Sequence, residues 1–262
     1  MPLLRRAWTI LVRYPKILLA TLGVFVAIFA SVFVGGLVAG FVSPPVGIAV
    51  GGILVIWLGV QTQAAVFGYA SMAVRSEALG PYWQTGTRLW LPTALYFLTV
   101  GIVGGVLVLI FGFPLISAVW QNGTGANPLS AAAIGDLAGS LLLLVLVLLA
   151  IVPLVVSFQA ALYMSETKRI GPALQAMLRI CFREKRYFYW FGVAVAMGVL
   201  NTLVTRVFGL FSGVPVLGFV LQNAAAIAVT SYASVYIFSA WSPVPPLDGG
   251  PDSDVLEHFG GD

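Results

Sequence analysis

Hydrophobic residues run along this chain in long blocks, and polar residues gather in the short gaps between them. No charged residue occurs between Ile17 and Met72, and other apolar stretches are similarly clean. About 20 apolar residues cross a bilayer as a helix. On that basis the pattern predicts six spans, at residues 17–42, 46–74, 89–113, 137–164, 187–205 and 219–241. Ser43-Pro44-Pro45 reads as a tight turn, residues 75–88 as a polar connection, and Pro114 as the end of the third span. Residues 121–136 have the Gly, Asn and Pro content of a loop. Pro153 predicts a kink in the fourth span, and residues 206–218 a glycine-bearing turn.

The fold class is therefore all-α, a polytopic transmembrane helical bundle forming one membrane domain over residues 1–241. Residues 242–262, rich in proline and acid, read as a disordered tail. Composition supports this: 60% of the 262 residues are hydrophobic and 8% charged, too few polar groups to cover a water-soluble globule. The N-terminus has basic residues before an apolar run, as a signal peptide does. That run is too long for a signal segment and is read as a retained first span.

Charge gives the orientation. Arg5, Arg6, Arg13, Lys16, Arg75, Arg88, Lys168, Arg169, Arg179, Arg183, Lys185 and Arg186 fall on one side of the predicted spans, and only Arg206 on the other. Basic residues mark the cytoplasmic side, so both termini are expected in the cytoplasm and the protein in the cell (inner) membrane. The acids Asp248, Asp252, Asp254, Glu257 and Asp262 make the tail acidic and the body more basic than the net +4 suggests.

The stretch from Gln159 to Arg186 contains the chain's fullest motif. It leaves a span through Ser165-Glu166, turns at Gly171-Pro172 and continues as a basic amphipathic segment. Aligning Pro2 with Pro172 sets Arg5, Thr9, Arg13 and Lys16 opposite Gln175, Arg179, Arg183 and Arg186. It also sets Leu4, Ala7, Trp8, Leu11 and Val12 opposite Leu174, Met177, Leu178, Cys181 and Phe182. Both sets keep the spacing of one helix face. A third copy begins at Pro81, with Trp83, Trp90 and Leu91 apolar and Gln84 and Arg88 polar, and Pro92 is expected to break it. Gln63-Ala64-Ala65, Gln159-Ala160-Ala161 and Gln222 followed by Asn223-Ala224-Ala225 echo one another in the even-numbered spans. The plan read from these echoes is an amphipathic helix and a membrane hairpin, three times.

Arg5, Arg13, Lys16, Arg179, Arg183 and Arg186 form a candidate surface for membrane phospholipid, anionic by charge, or for a protein partner or second copy. The favoured reading of these residues taken alone is as positive-inside anchors with no ligand of their own. Gln63, Gln159 and Gln222 are candidate intramembrane polar contacts that line a cavity or, as favoured here, hydrogen-bond between helices. Gln61, Thr62, Asn201, Thr202 and Asn223 are read as packing residues too. Glu77 and Glu166 stand at matching cytoplasmic boundaries, too shallow for the buried acid that cation-coupled transport needs. Asp136 is expected to cap the fourth span. Gly36 with Gly40, Gly47 with Gly51, and Gly101 with Gly105 have the small-xxx-small spacing of close helix pairs.

Chemistry is sparse. One cysteine, Cys181, and one histidine, His258, leave no disulfide framework within the chain and no Cys/His metal cluster. There is no H-E-x-x-H arrangement, no pair of buried carboxylates and no phosphate-binding glycine loop. No cofactor and no enzyme activity is expected. Short basic clusters flanked by spans face a membrane more simply than nucleic acid. Asn122-Gly123-Thr124 fits a glycosylation sequon but reads as a turn.

The segments RRAWTILVRYPKILL and LYMSETKRIGPALQAMLRICFREKRYFYWFGVAVA resemble a loose family of bacterial and archaeal six-span membrane domains. It includes the membrane domain attached to some glycerophosphodiester phosphodiesterases and related domains of unknown function. In that group an acid near a span's end precedes an A-L-x-x-S/M amphipathic helix. Glu166, Ala173-Leu174 and Met177 match this pattern, and Glu77 matches it less well. The resemblance covers most of residues 2–241 and implies a helical membrane module that handles lipids or organises a partner. It transfers no phosphodiesterase residue, because the soluble catalytic domain is not in this sequence. Two functions follow as expectations: a non-enzymatic lipid-contacting or partner-organising module, and a transporter or permease-like component with a polar path near Gln63, Gln159 and Gln222.

Overall fold

The computed structural model describes residues 2–123, 131–165, 168–209 and 215–241. Residues 242–262, the sequon's Thr124 and Glu166 lie outside them. Among the described residues there are eight α-helices and no strand. They are α1 (Pro2–Arg13), α2 (Lys16–Phe41), α3 (Pro44–Val74), α4 (Tyr82–Gly123), α5 (Ala131–Met164), α6 (Ile170–Leu178), α7 (Tyr187–Gly209) and α8 (Pro215–Trp241). A π-helical turn, Arg179–Arg183, extends α6. Six stretches are long and apolar enough to cross a membrane: Lys16–Phe41, Pro44–Val74, Tyr82–Ile110, Leu141–Met164, Tyr187–Gly209 and Val220–Trp241. Large aliphatic and aromatic side chains cover their outward faces, as a lipid solvent requires.

Five details differ from the sequence reading. Pro92 and Pro114 both lie inside α4 and neither breaks it. Proline is tolerated inside membrane helices more readily than in helices exposed to water. The loop read at residues 121–136 is shorter, because α4 reaches Gly123 and α5 begins at Ala131. Asp136 is therefore inside α5 and not at its cap. The turn read at residues 206–218 is also shorter: α7 runs to Gly209 and α8 begins at Pro215. Arg206 sits in the last turn of α7, where a cation complements the helix dipole.

The hairpin of α2 and α3 shows what small residues do. A Cβ on Gly35 would lie 2.8 Å from the Gly51 Cα, and one on Gly47 would strike Ala39. The close face of α2 is thus Ser31, Gly35 and Ala39, not the Gly36 and Gly40 pair expected from spacing. Gly36, Gly40, Gly101 and Gly105 all face open space.

The core lies at the basic end of the bundle, where α3 and α5 end and α8 runs out to Trp241. Phe67, Tyr163 and Phe238, one from each helix, meet as a trio with ring centroids 5.0 to 6.2 Å apart. Phe67 to Ala73, Phe158 to Tyr163 and Val235 to Ala240 supply most of the surrounding buried surface. At about 1.5 Å per residue, α3 and α5 are roughly 46 and 51 Å long, against a hydrocarbon core of about 30 Å. The helices therefore have length to spare outside the bilayer, where the short helices pack against them.

Candidate membrane-interface site

Each basic segment packs on the second helix of a different hairpin: α1 on α8, the first turns of α4 on α3, and α6 on α5. The contacts are specific. Tyr232 Oη donates to the Leu4 carbonyl (3.0 Å), holding α1 on α8. Gln61 Nε2 donates to the Trp83 carbonyl (3.1 Å) and to Thr87 Oγ1 (2.8 Å), and Tyr69 Oη donates to the Gly80 carbonyl (2.6 Å). Ser157 Oγ and Cys181 Sγ share a hydrogen bond of 3.2 Å between α5 and the π-helical turn. Burial raises the Cys181 thiol above its ordinary range, and the serine bond opposes this.

Helical periodicity then sorts each segment into three stripes. On α1, Ala7 and Leu11 are buried, Leu4, Trp8 and Val12 are exposed, and Arg5, Thr9 and Arg13 stand beside them in the open. On α6 and its π-helical turn, Ala173, Met177 and Cys181 are buried, Leu174, Leu178 and Phe182 are exposed, and Gln175, Arg179 and Arg183 are exposed. The exposed apolar triples occupy identical places after Pro2 and Pro172. At the start of α4, Trp83 and Leu91 are exposed and Thr87 stands between them, with Thr85 and Leu89 buried.

All six basic candidates, Arg5, Arg13, Lys16, Arg179, Arg183 and Arg186, are exposed. The structure adds Glu184, which the sequence reading passed over. Its carboxylate lies 3.5 Å from Arg179 Nε and 3.7 Å from Arg186 Nε. Such exposed pairs contribute little and exchange readily for another anion. The Arg13 guanidinium lies 5.9 Å from the centroid of the Tyr14 ring. Arg5, Lys16 and Arg183 have no carboxylate partner among the described residues.

Glu77 is exposed and paired with Arg75, Nε to Oε1 3.1 Å. That contact is too bent to count as a hydrogen bond for the buried Arg75 Nε. Lys168 belongs to the same neighbourhood. Burial lowers its pKa first, Arg75 and Arg88 lower it further, and Glu77 opposes them.

The glutamines do not form one site. Gln159 is buried and Gln63 half-buried, each four residues before an aromatic of the core trio. Counting back four from Phe238 gives Ser234. Gln222 is exposed on α8, about 18 Å further along the helix. The glutamine that ties helices together is Gln61. Thr62 bonds the Leu58 and Gly59 carbonyls of its own helix. Asn201 and Thr202, read as packing residues, are exposed instead, and Thr202 bonds the Gly198 carbonyl (2.8 Å). Among the described residues no three His, Cys, Asp or Glu side chains are grouped to hold a metal ion.

These features define an all-α, multi-pass helical membrane protein. No family model, curated protein or solved structure matches the chain.

Proposed function

We propose that this protein is a non-enzymatic module of the cell (inner) membrane, with both termini cytoplasmic, whose short basic helices rest in the headgroup layer of anionic phospholipid. Two short helices, α1 and α6, and the first turns of α4 as a weaker third copy, each precede a hairpin, in line with the resemblance to six-span membrane domains. The observation that carries the reading is the paired stripe. Leu4, Trp8 and Val12 on α1 and Leu174, Leu178 and Phe182 on α6 are exposed at matching positions, each row beside exposed arginines. A buried stripe alone would signify packing, and a basic stripe alone a topology signal. An exposed apolar row next to a basic row suits a helix lying in the interface, its apolar side in acyl chains and its arginines at phosphates. Each basic residue contributes on the order of 1 kcal/mol near an anionic surface.

The test uses the single cysteine. In a Cys181→Ser background, spin labels at Val12→Cys and Leu178→Cys are read in nanodiscs with and without anionic lipid. Labels more accessible to oxygen than to a water-soluble nickel reagent, moving outward in Arg13→Gln/Arg179→Gln/Arg183→Gln protein, support the reading. Fully aqueous labels refute it. Labels immobilised in both lipids indicate a protein partner or second copy instead. The transporter reading loses its motivation in the separation of Gln222 from Gln63 and Gln159.

A further inference from the structure

Between α7 and α8, beneath the N-terminal turns of α1, lies a groove of about 1080 Å³. Its walls are apolar, with Leu203 and Val204 from α7, Ala225 and Ala228 from α8, and Leu4 and Trp8 from α1. Among the described residues, Arg5 is the one charged side chain that lines it. We propose that this groove holds one acyl chain of an anionic phospholipid of the cytoplasmic leaflet, with Arg5 against its phosphate. The proposal rests on the interfacial reading of α1 and deepens it from a surface to a defined binding position.

Three observations select this occupant. The first is length: on α8 the lining runs from Leu221 to Tyr232. That is about 16 Å of helix, close to the roughly 15 Å depth of one leaflet's hydrocarbon. The second is shape. In the α2–α3 hairpin, glycines bring the backbones into contact and leave no gap. Alanines on α8 at the groove leave a volume that no described side chain fills, of the size of a small-molecule site. The third is charge. The bond from Tyr232 to the Leu4 carbonyl fixes the first turns of α1 over the groove. Arg5 is exposed there without a carboxylate partner among the described residues. An arginine at one end of an otherwise apolar channel matches a headgroup phosphate, which it can hold by paired charge-assisted hydrogen bonds. A zwitterionic lipid presents the same phosphate with an offsetting cation, so the net anionic lipid is preferred.

The experiment is native mass spectrometry of the full chain in mild detergent, with phosphatidylglycerol or phosphatidylcholine of identical chains added. The expected result is one phosphatidylglycerol per chain surviving activation that strips the rest. Arg5→Gln should lower its retention about tenfold relative to phosphatidylcholine, the loss of one charged hydrogen bond. Ala225→Phe/Ala228→Phe should abolish retention. Because that variant can fail to fold, wild-type protein is also exposed to phosphatidylglycerol carrying a mid-chain photoreactive diazirine. Adducts concentrated on residues 196–208 and 221–232 support the groove.

No retained lipid, equal retention in the filled variant, or adducts spread evenly over the spans would overturn it, as would a retained second copy in place of lipid. The two proposals fail separately. Interfacial labels at positions 12 and 178 with no retained lipid remove the groove alone. Aqueous labels with one retained lipid remove the surface reading alone.

Discussion

Phe238 is the side chain whose loss the fold should feel most clearly. It is 0% exposed, and its ring centroid lies 5.6 Å from that of Tyr163 and 6.2 Å from that of Phe67. Three helices from three different hairpins meet at this point, so truncation leaves a cavity that none of them can close by a local shift. Phe238→Ala in a well-packed core loses about 3 to 5 kcal/mol, a range that includes ring pairing of about 0.5 to 1.5 kcal/mol per contact. The bilayer does not rescue the site, because the cost is dispersion attraction forfeited inside an enclosed volume and not exposure to water. For a chain of this size each kcal/mol moves Tm by about 2 to 4 °C. The variant should therefore melt roughly 6 to 20 °C below wild type in fluorescence-detected thermal unfolding in mild detergent. Phe33→Ala is the matched control: the same atoms are removed from a residue 67% exposed on α2. Its Tm should stay near wild type. If both variants shift equally, the aromatic trio is not the core of the bundle.

Two further outcomes can be read in the same assay. Gly47→Leu drives a side chain into Ala39 and should cost about 1 to 3 kcal/mol or prevent the hairpin from closing, whereas Gly101→Leu, facing open space, should be neutral. For Lys168, whose pKa burial lowers from the ordinary 10.5, the native state binds fewer protons than the unfolded chain between the two pKa values. Stability relative to Lys168→Met should therefore rise with pH through that window, and parallel Tm curves for the two proteins would refute the burial of this amine.

The spans were legible because their signal is collective: about 20 residues must agree, and a stray proline or polar group does not change the sum. Single residues were legible only where one strong rule governed them. Pro92 and Pro114 were misjudged because proline breaks helices by a rule calibrated in water, and membrane helices tolerate it inside them. Gly36 and Gly40 fit the close-packing spacing but face open space, because periodicity gives a stripe's spacing and not the direction it faces. Gln63 and Gln159 each lie four residues before an aromatic of the core trio, whereas Ser234, not Gln222, holds that place on α8. A search for the aromatic four residues on, Phe67 and Tyr163, would have moved the alignment to Phe238. The groove had no sequence signal of its own, because it is the space between helices left apart by alanines.

The order of packing bears on how the short helices take part in assembly. Along the chain, the first turns of α4 dock on α3 and α6 docks on α5, each on a helix already made. The helix α1 docks on α8, the last of the described helices in chain order. During synthesis Ala7 and Leu11 therefore wait for α8 before that helix can cover them. A 12-residue helix is marginal alone in water. On an anionic surface the same segment can fold at once, its apolar rows in lipid and Arg5 and Arg13 at phosphates. When α8 packs against α1, the Ala7 and Leu11 row is covered, while Leu4, Trp8 and Val12 stay exposed. On the proposed interfacial reading, the exposed apolar row of α1 would serve the assembly of the bundle as well as its contact with the membrane.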